Sequence, residues 1–456
     1  MTERETIQCL GNFAKLYRND SMNVLMLHEL IKKQYKKLSD LVYISHALPA
    51  YISDFFADFV SGDTDDLQII LDPADAGQQE ELDVQIYEND LKEQVNDWAT
   101  SQSEFGSVPL YTYLDDESNV IYEDIPNDQY FPQTDGSVII ATYKRDPSGV
   151  TGKELILLTQ HFHLENGKVT IDRQVWKTDE KGVNTLNVTI DVWNKLTGRT
   201  LRDTDMMDID ELPFVQADNG RKTKDGYGKS DYADIMPQLA EINERRTQMA
   251  TQFLKNLDAK MILPKSAENE DGTPKEFDTL YIDTKEQDVA RFMTPDSTLF
   301  AEAEEHIMSQ IRLISTVTGV PLWVFTKGTA PERVESLRIQ LFAAIRKTHR
   351  KRAKLRRAMQ DIIRIGFKLT GTALTADPII KFGDVLPEDD LIVAETQSTL
   401  VRSGLQSHRS AIMKLGNMTE EDAQKELDQI EAENKIAGFA PIDTNAPPVL
   451  PIPRNP

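Results

Sequence analysis

The chain has 456 residues, 39% of them hydrophobic, with 51 Lys/Arg against 75 Asp/Glu and a formal net charge of −24. That length exceeds the roughly 250 to 300 residues at which one core stops growing, so several packed regions are expected and wholesale disorder is excluded. The acidic balance excludes counterion-driven DNA binding over the whole surface, so any DNA contact must be local. Cys9 stands alone, which excludes an internal disulfide. No stretch approaches the roughly 18 apolar residues of a membrane span, and the amino terminus lacks a cationic start followed by an apolar run, so the cytoplasm is the expected compartment.

From Asn23 to Val60 apolar residues recur three or four apart (Leu27, Leu30, Ile31, Leu38, then Ile52, Phe55, Phe56, Phe59), predicting helices interrupted near Pro49. One further helix is expected from Glu80 to Gln102, ending before Gly106. The period then shifts toward two. Strands are expected at Val108–Leu114, Val120–Ile125, Val138–Tyr143, Glu154–His163, Lys168–Trp176 and Asn187–Trp193, with turns at Asp135-Gly136 and Asn166-Gly167.

At Leu212-Pro213-Phe214 the sheet signals stop. A Gly-rich link from Asn219 to Gly228 leads into a helix carrying Ile235, Leu239, Ile242, Met249, Phe253 and Leu257 on one face. Pro237 requires that helix either to start near Asp234 or to bend. Short strands are expected at Lys260–Leu263, Thr279–Ile282 and Val289–Met293, around a polar loop from Lys265 to Pro274. A second helix follows from Thr298 to Thr318. Gly319 to Pro331 breaks helicity yet carries Trp323 and Phe325, which marks a structured or functional loop.

Between Pro331 and Gly371 stand twelve Lys/Arg and three Asp/Glu, a local +9 in a chain of −24. The helix expected there faces something negative: its own acidic neighbours, other copies of the chain, or a passing polyanion. At roughly 100° per residue Leu337, Leu341, Ala344, Ile345, Leu355, Met359, Ile362 and Ile363 gather on one side, and Arg346, Arg350, Lys354, Arg357 and Arg364 on the other. Arg352 falls inside the apolar arc, which implies a kink or an arginine buried against a carboxylate. A strand is expected at Asp377–Phe382, helices at Glu388–Arg402 and from Ser407 to Ile436, and an extended tail in the last twenty residues, which hold six prolines.

Catalytic and cofactor motifs fail on their spacing. Gly226-Tyr-Gly-Lys229-Ser230 lacks the glycine a phosphate loop needs five residues before its Gly-Lys pair, where Thr223 stands, so it reads as a flexible hinge and helix cap. His161 and His163 share one side of a strand, but no third ligand completes a metal site. Gln406 to Glu433 has a helix-turn-helix outline whose second helix is too acidic for a DNA groove.

The order of these parts resembles the portal proteins of tailed phages, and local stretches are similar to that family's signatures: Pro49-Ala-Tyr-Ile-Ser-Asp-Phe-Phe-Ala-Asp-Phe-Val-Ser-Gly62, Ile125-Pro-Asn-Asp-Gln-Tyr-Phe-Pro132, Leu212-Pro-Phe214, Gly228-Lys-Ser-Asp231, Thr318-Gly-Val-Pro321 and Gly404-Leu-Gln-Ser407. The resemblance implies an α+β, mainly helical fold of the SPP1-type portal architecture. A wing would occupy residues 1–229, joined by the long basic helix 331–371 and a strand at 372–387. Stem helices would lie at 230–258 and 298–319, a clip at 259–297, a tunnel loop at 320–330, crown helices at 388–436 and a Pro-rich tail at 437–456.

It further implies a non-enzymatic ring, in the family usually of twelve subunits, at one capsid vertex, through which DNA is packaged and ejected. The partners implied are the large terminase subunit, head-completion or adaptor proteins of the neck, major capsid and scaffolding proteins, and double-stranded DNA. No cofactor, metal or membrane is implied, and the location would be the virion, with assembly in the host cytoplasm. The tunnel-loop residues would be Val320, Pro321, Leu322, Trp323, Val324, Phe325, Thr326, Lys327, Gly328 and Thr329, bordering the DNA channel. Clip residues meeting motor or adaptor would be Lys265, Glu268, Glu270, Asp271, Lys275 and Glu276. The exposed cations of the basic helix would face neighbouring subunits or DNA. A metal-dependent nuclease or packaging enzyme, or a protein-only adaptor or scaffold, are the alternatives.

Overall fold

The structure is a computed structural model, and it describes residues 44–62, 66–146, 154–178, 185–223, 226–257, 260–262, 291–293, 298–326, 334–383, 390–416 and 420–437. The chain divides into two compact units, Met1–Gly383 and Asp384–Pro456. The fold is α+β.

In the first unit, helix α1 (Leu48–Ser61) opens with Pro49 in its first turn, where a missing N–H costs nothing, and buries Ile52, Phe56, Ala57 and Val60. Strand β1 (Gln68–Ile70) and a 3-10 turn (Pro73–Gln78) lead to α2 (Gln79–Glu88) and α3 (Leu91–Phe105). One continuous helix was expected over α2 and α3. Asp90 adopts φ +46° instead, and the Asn89 side chain turns inward, donating to the carbonyls of Gln85 and Val120 at 2.8 Å and accepting from the Tyr122 amide at 2.9 Å. The break exists because that asparagine satisfies the backbone of an adjacent strand.

The β-rich region forms two antiparallel sheets. β2 (Ser107–Leu114) lies between β3 (Val120–Asp124) and β10, the strand Phe214–Asp218. The larger sheet runs in order through β4 (Tyr130–Pro132), β5 (Val138–Arg145), β6 (Leu155–Glu165), β7 (Lys168–Thr178) and β8 (Thr185–Val188), and β9 (Thr204–Met207) pairs with the other half of β7. Phe214 joins the sheets, stacked 4.7 Å from Tyr111 and edge-on at 4.7 Å to Phe162. The strand expected at Asn187–Trp193 is cut short by α4 (Ile190–Thr197). Thr189 is extended, and the helix then seats Trp193 on Ile156, Leu158 and Val175 of the sheet.

Helix α5 (Met236–Leu257) starts two residues after Asp234, so Pro237 falls in its first turn and no bend is needed. Strands β11 (Lys260–Ile262) and β12 (Arg291–Met293) pair antiparallel, and α6 (Thr298–Thr318) packs against α5. The expected strand Thr279–Ile282 lies outside the described residues. A single helical turn, α7 (Leu322–Phe325), precedes α8 (Val334–Leu369), 36 residues without interruption. β13 (Ile379–Lys381) then pairs with β1. The main core gathers α1, α2, α3, β2, β3 and the second half of α8 around Trp98, Tyr122, Leu355, Met359 and Ile362.

The second unit contains α9 (Asp390–Arg402), α10 (His408–Gly416) and α11 (Glu420–Ala437). The helical stretch expected from Ser407 to Ile436, with its helix-turn-helix outline, is formed by α10 and the acidic α11, and the proline-rich tail lies outside the described residues.

Candidate functional site

The cations of α8 fall into three groups according to what they meet. Toward its carboxyl end the helix is neutralised within the chain. Arg357 reaches Asp377 at 2.8 Å and Asp361 at 3.2 Å, Arg364 reaches Glu211 at 3.0 Å, and Lys368 reaches Asp210 at 2.9 Å and Glu211 at 2.6 Å. Asp210 and Glu211 arrive on the segment just before Leu212-Pro213-Phe214.

In the middle, the helix turns lysines into the protein. Asp231 is buried and accepts from Lys347 at 2.8 Å, Lys351 at 3.0 Å, the Ser103 hydroxyl at 2.7 Å and the Asn219 amide at 2.7 Å. Burial alone would raise its carboxyl, but the ammoniums of Lys351 and Lys347, with the bonds from Lys347 and Ser103, hold it far below the usual carboxylate range. Lys351 is 1% exposed, and burial pushes its ammonium down to about 8 against the pull of Asp231. Lys347 also stands 4.2 Å from the Phe56 ring centroid.

Arg352, placed in the apolar arc by the helical projection, brings no kink, since α8 runs through it unbroken. Its guanidinium donates to the carbonyls of Val60 at 3.0 Å and Gly383 at 2.6 Å and lies 5.2 Å over the Phe382 ring. These carbonyls reach it because α1 and the strand after α8 end against this turn.

The remaining cations are exposed. Arg346, Arg350 and Lys354 have no carboxylate within ion-pair distance among the described residues, and the Arg346 guanidinium lies 5.6 Å over the exposed Phe342 ring. Thus of the five cations expected on the outer side, Arg357 and Arg364 are tied down by their own chain. Lys347, Lys351 and Asp231, which matter most electrostatically, were not singled out. The sign that could have found them is the (i, i+4) lysine pair on or beside the apolar arc, together with an aspartate in the Gly-Lys-Ser-Asp segment.

That segment is not a flexible hinge. Gly106 and Gly228 cross so closely that a Cβ on either would collide with the backbone of the other, and the Gly228 amide donates to the Ser107 hydroxyl at 2.7 Å. Lys229 binds Asp234 at 2.6 Å, and the Ser230 hydroxyl donates to the Glu104 carbonyl at 2.6 Å. Tyr232 and Ser53 share a hydroxyl hydrogen bond beneath it.

The loop after α6 is anchored at its start. Val320 is fully buried, its carbonyl accepting from the Ser315 hydroxyl at 2.7 Å, and Lys347 donates to the Thr318 carbonyl at 3.3 Å. Pro321 is buried. Leu322, Trp323, Val324, Phe325 and Thr326 are half-buried, the first four as the helical turn α7 rather than irregular chain. Lys327, Gly328 and Thr329 lie outside the described residues, as do all six clip positions, Lys265, Glu268, Glu270, Asp271, Lys275 and Glu276. Nearby, Arg246 grips Glu304 with two bonds of 2.9 and 3.0 Å, locking α5 to α6.

His161 and His163 do share a face, their ring centroids 5.0 Å apart, but His161 meets the Ser137 hydroxyl at 2.9 Å and His163 lies 3.8 Å from Asp172. Among the described residues no group of three or more His, Cys, Asp or Glu is placed to hold a metal ion, and no helix is long and apolar enough to cross a membrane.

No curated protein matches the chain. Among solved structures, a chain from the neck of an empty GTA particle computed with C6 symmetry aligns at TM-score 0.42 and 11% identity, covering 89% of this chain and 96% of that one. A chain from the neck of a native GTA particle computed with C12 symmetry aligns at TM-score 0.39 and 12% identity, covering 87% and 91%. The family model for phage portal proteins of the SPP1 Gp6-like type matches residues 3–437. The chain therefore belongs to the phage portal protein family, whose members are structural components of the virion rather than enzymes.

Proposed function

We propose that this portal protein assembles into a closed ring, of twelve copies as is usual in its family, that conducts double-stranded DNA during packaging and ejection. The ring docks the large terminase subunit through residues 259–297 and later the head-completion proteins of the neck. The observation that carries this reading is the family match over residues 3–437, which takes in every element described. The charge balance supports it, since a net −24 chain repels phosphates and offers a moving duplex a weak grip, with a few cations for brief contact. The clamped pair α5 and α6 supplies a stiff rod to line such a channel, with the chain from Val320 to Thr326 at one end of it.

Negative-stain imaging with native mass spectrometry of the purified protein tests the reading. A ring of about twelve subunits with an open centre is expected. A chain that stays monomeric in all conditions and is absent from virions overturns it.

A further inference from the structure

We propose that the exposed stripe of α8 around Ile339, Phe342, Arg346 and Arg350 docks onto the acidic outer face of α2 in a neighbouring copy of this chain. The inference deepens the ring reading, on which it rests, by naming the two faces that meet.

At 100° per residue Ile339, Phe342, Arg346 and Arg350 form one line along the outer side of α8, opposite Leu341, Ala344, Thr348 and Leu355. Ile339 is 77% exposed and Phe342 60%, an apolar pair that water should not be left to cover. The two arginines extend that line with positive charge that no described carboxylate of the same chain neutralises.

A face of matching form and opposite sign lies elsewhere on the same unit. Residues 73–105 hold nine Asp/Glu and a single Lys. On α2, Glu80, Asp83, Val84, Tyr87 and Glu88 fall at i, i+3, i+4, i+7 and i+8 and are all exposed, Tyr87 at 83% and Val84 at 50%. Here too an apolar pair is flanked by like charges. Beside it a groove of about 630 Å³ is lined by Ile69, Ile70, Ile86, Tyr87, Asp83 and Glu93, a seat for an aromatic anchor such as Phe342 with acids at its edge.

The two faces cannot meet within one chain. Glu81 of α2 lies 3.2 Å from the Thr370 hydroxyl, just past the carboxyl end of α8. Arg346 stands 24 residues earlier, roughly 36 Å away along a straight helix at 1.5 Å per residue. A two-fold contact of the α8 stripe with itself would set arginine against arginine. Stripe on α2 is a head-to-tail contact between different patches, the kind that closes into rings.

Native mass spectrometry and negative-stain imaging of charge-reversed full-length protein test the contact, with thermal melts to confirm folding. Arg346→Glu with Arg350→Glu, and separately Asp83→Lys with Glu88→Lys, should each abolish the ring while leaving the melt unchanged, and the four changes together should restore it. Phe342→Ala should weaken the ring without any charge change. Rings that survive either reversal, or that the four changes fail to restore, overturn this pairing while leaving the ring reading intact. Intact rings of the arginine variant that no longer retain DNA would assign the stripe to the polyanion instead. A wild-type chain that never forms rings overturns both.

Discussion

The first and second halves of α8 carry similar cations but use them in opposite ways. From Lys351 onward most positive groups are spent inside the chain: on Asp231, on the carbonyls of Val60 and Gly383, and on Asp361, Asp377, Asp210 and Glu211. Before that point, Lys347 apart, Arg346 is exposed beside Ile339 and Phe342 and Arg350 continues its row unpaired among the described residues. One half of the helix is an internal beam held by ion pairs, and the other presents a surface. A charge count over the segment cannot tell these apart, because the difference lies in which residues other segments bring against each turn.

The largest expected break in this contrast is at Asp231. Asp231→Ala leaves Lys351 buried without its counter-charge and should cost about 3 to 5 kcal/mol, read as a lowered denaturant midpoint. Gly366→Ala comes next. An added Cβ would lie 2.6 Å from the Tyr122 hydroxyl and 2.9 Å from Val120, so about 1 to 3 kcal/mol should be lost through overpacking, with the Tyr122 bond to Gln85 disturbed.

Lys351→Met sharpens the comparison through pH. In the fold Lys351 is pushed down to about 8, whereas in the unfolded chain it titrates near 10.4, so between those values the unfolded state binds more protons and stability rises with pH. The variant should stay within about 1 kcal/mol of wild type at neutral pH, with Lys347 still holding Asp231, and should lose that alkaline rise. Asp231 acts in the same direction at the acid end of the scale. Its carboxyl is held low, so its contribution is present above about pH 4 and is lost as the pH falls below that. The smallest effect is expected for Arg350→Ala, whose melt should move by no more than about 0.5 kcal/mol. A large loss there would show that the outer half of the helix is also internally bound.

Much of the fold was legible because it is written in periodicity. The limits of α6, the core of α8, the strands β2, β3, β5, β6 and β7 and the short pair at Lys260 and Arg291 follow from apolar spacing and turn residues, whereas β4, β9 and β10 were not expected. What escaped depends on contacts distant in sequence. Asn89 breaks a helix without glycine or proline because β3 offers it bonds, and Trp193 leaves a strand because a helix seats it better on the sheet. In the site, the outward position of Arg346 and Arg350 could be read from the helical projection. The burial of Lys347 and Lys351 against Asp231 could not, since an aspartate more than a hundred residues away supplies the reason. Arg352 shows both sides: its inward position was visible, and its partners, two carbonyls and a phenyl ring, were not.

The crossing of Gly106 over Gly228 has a mechanical consequence. Two stretches of main chain touch there with no side chain between them, one ending α3 and the other leading into α5, and the amides of Asn219 and Gly228 bind the carbonyl of Gly106 and the hydroxyl of Ser107. Such a joint has almost no slack. A tug or twist on α5 passes straight into α3 and the core beneath it, so strain at one end of this unit travels as through a weld and is not absorbed as through a spring.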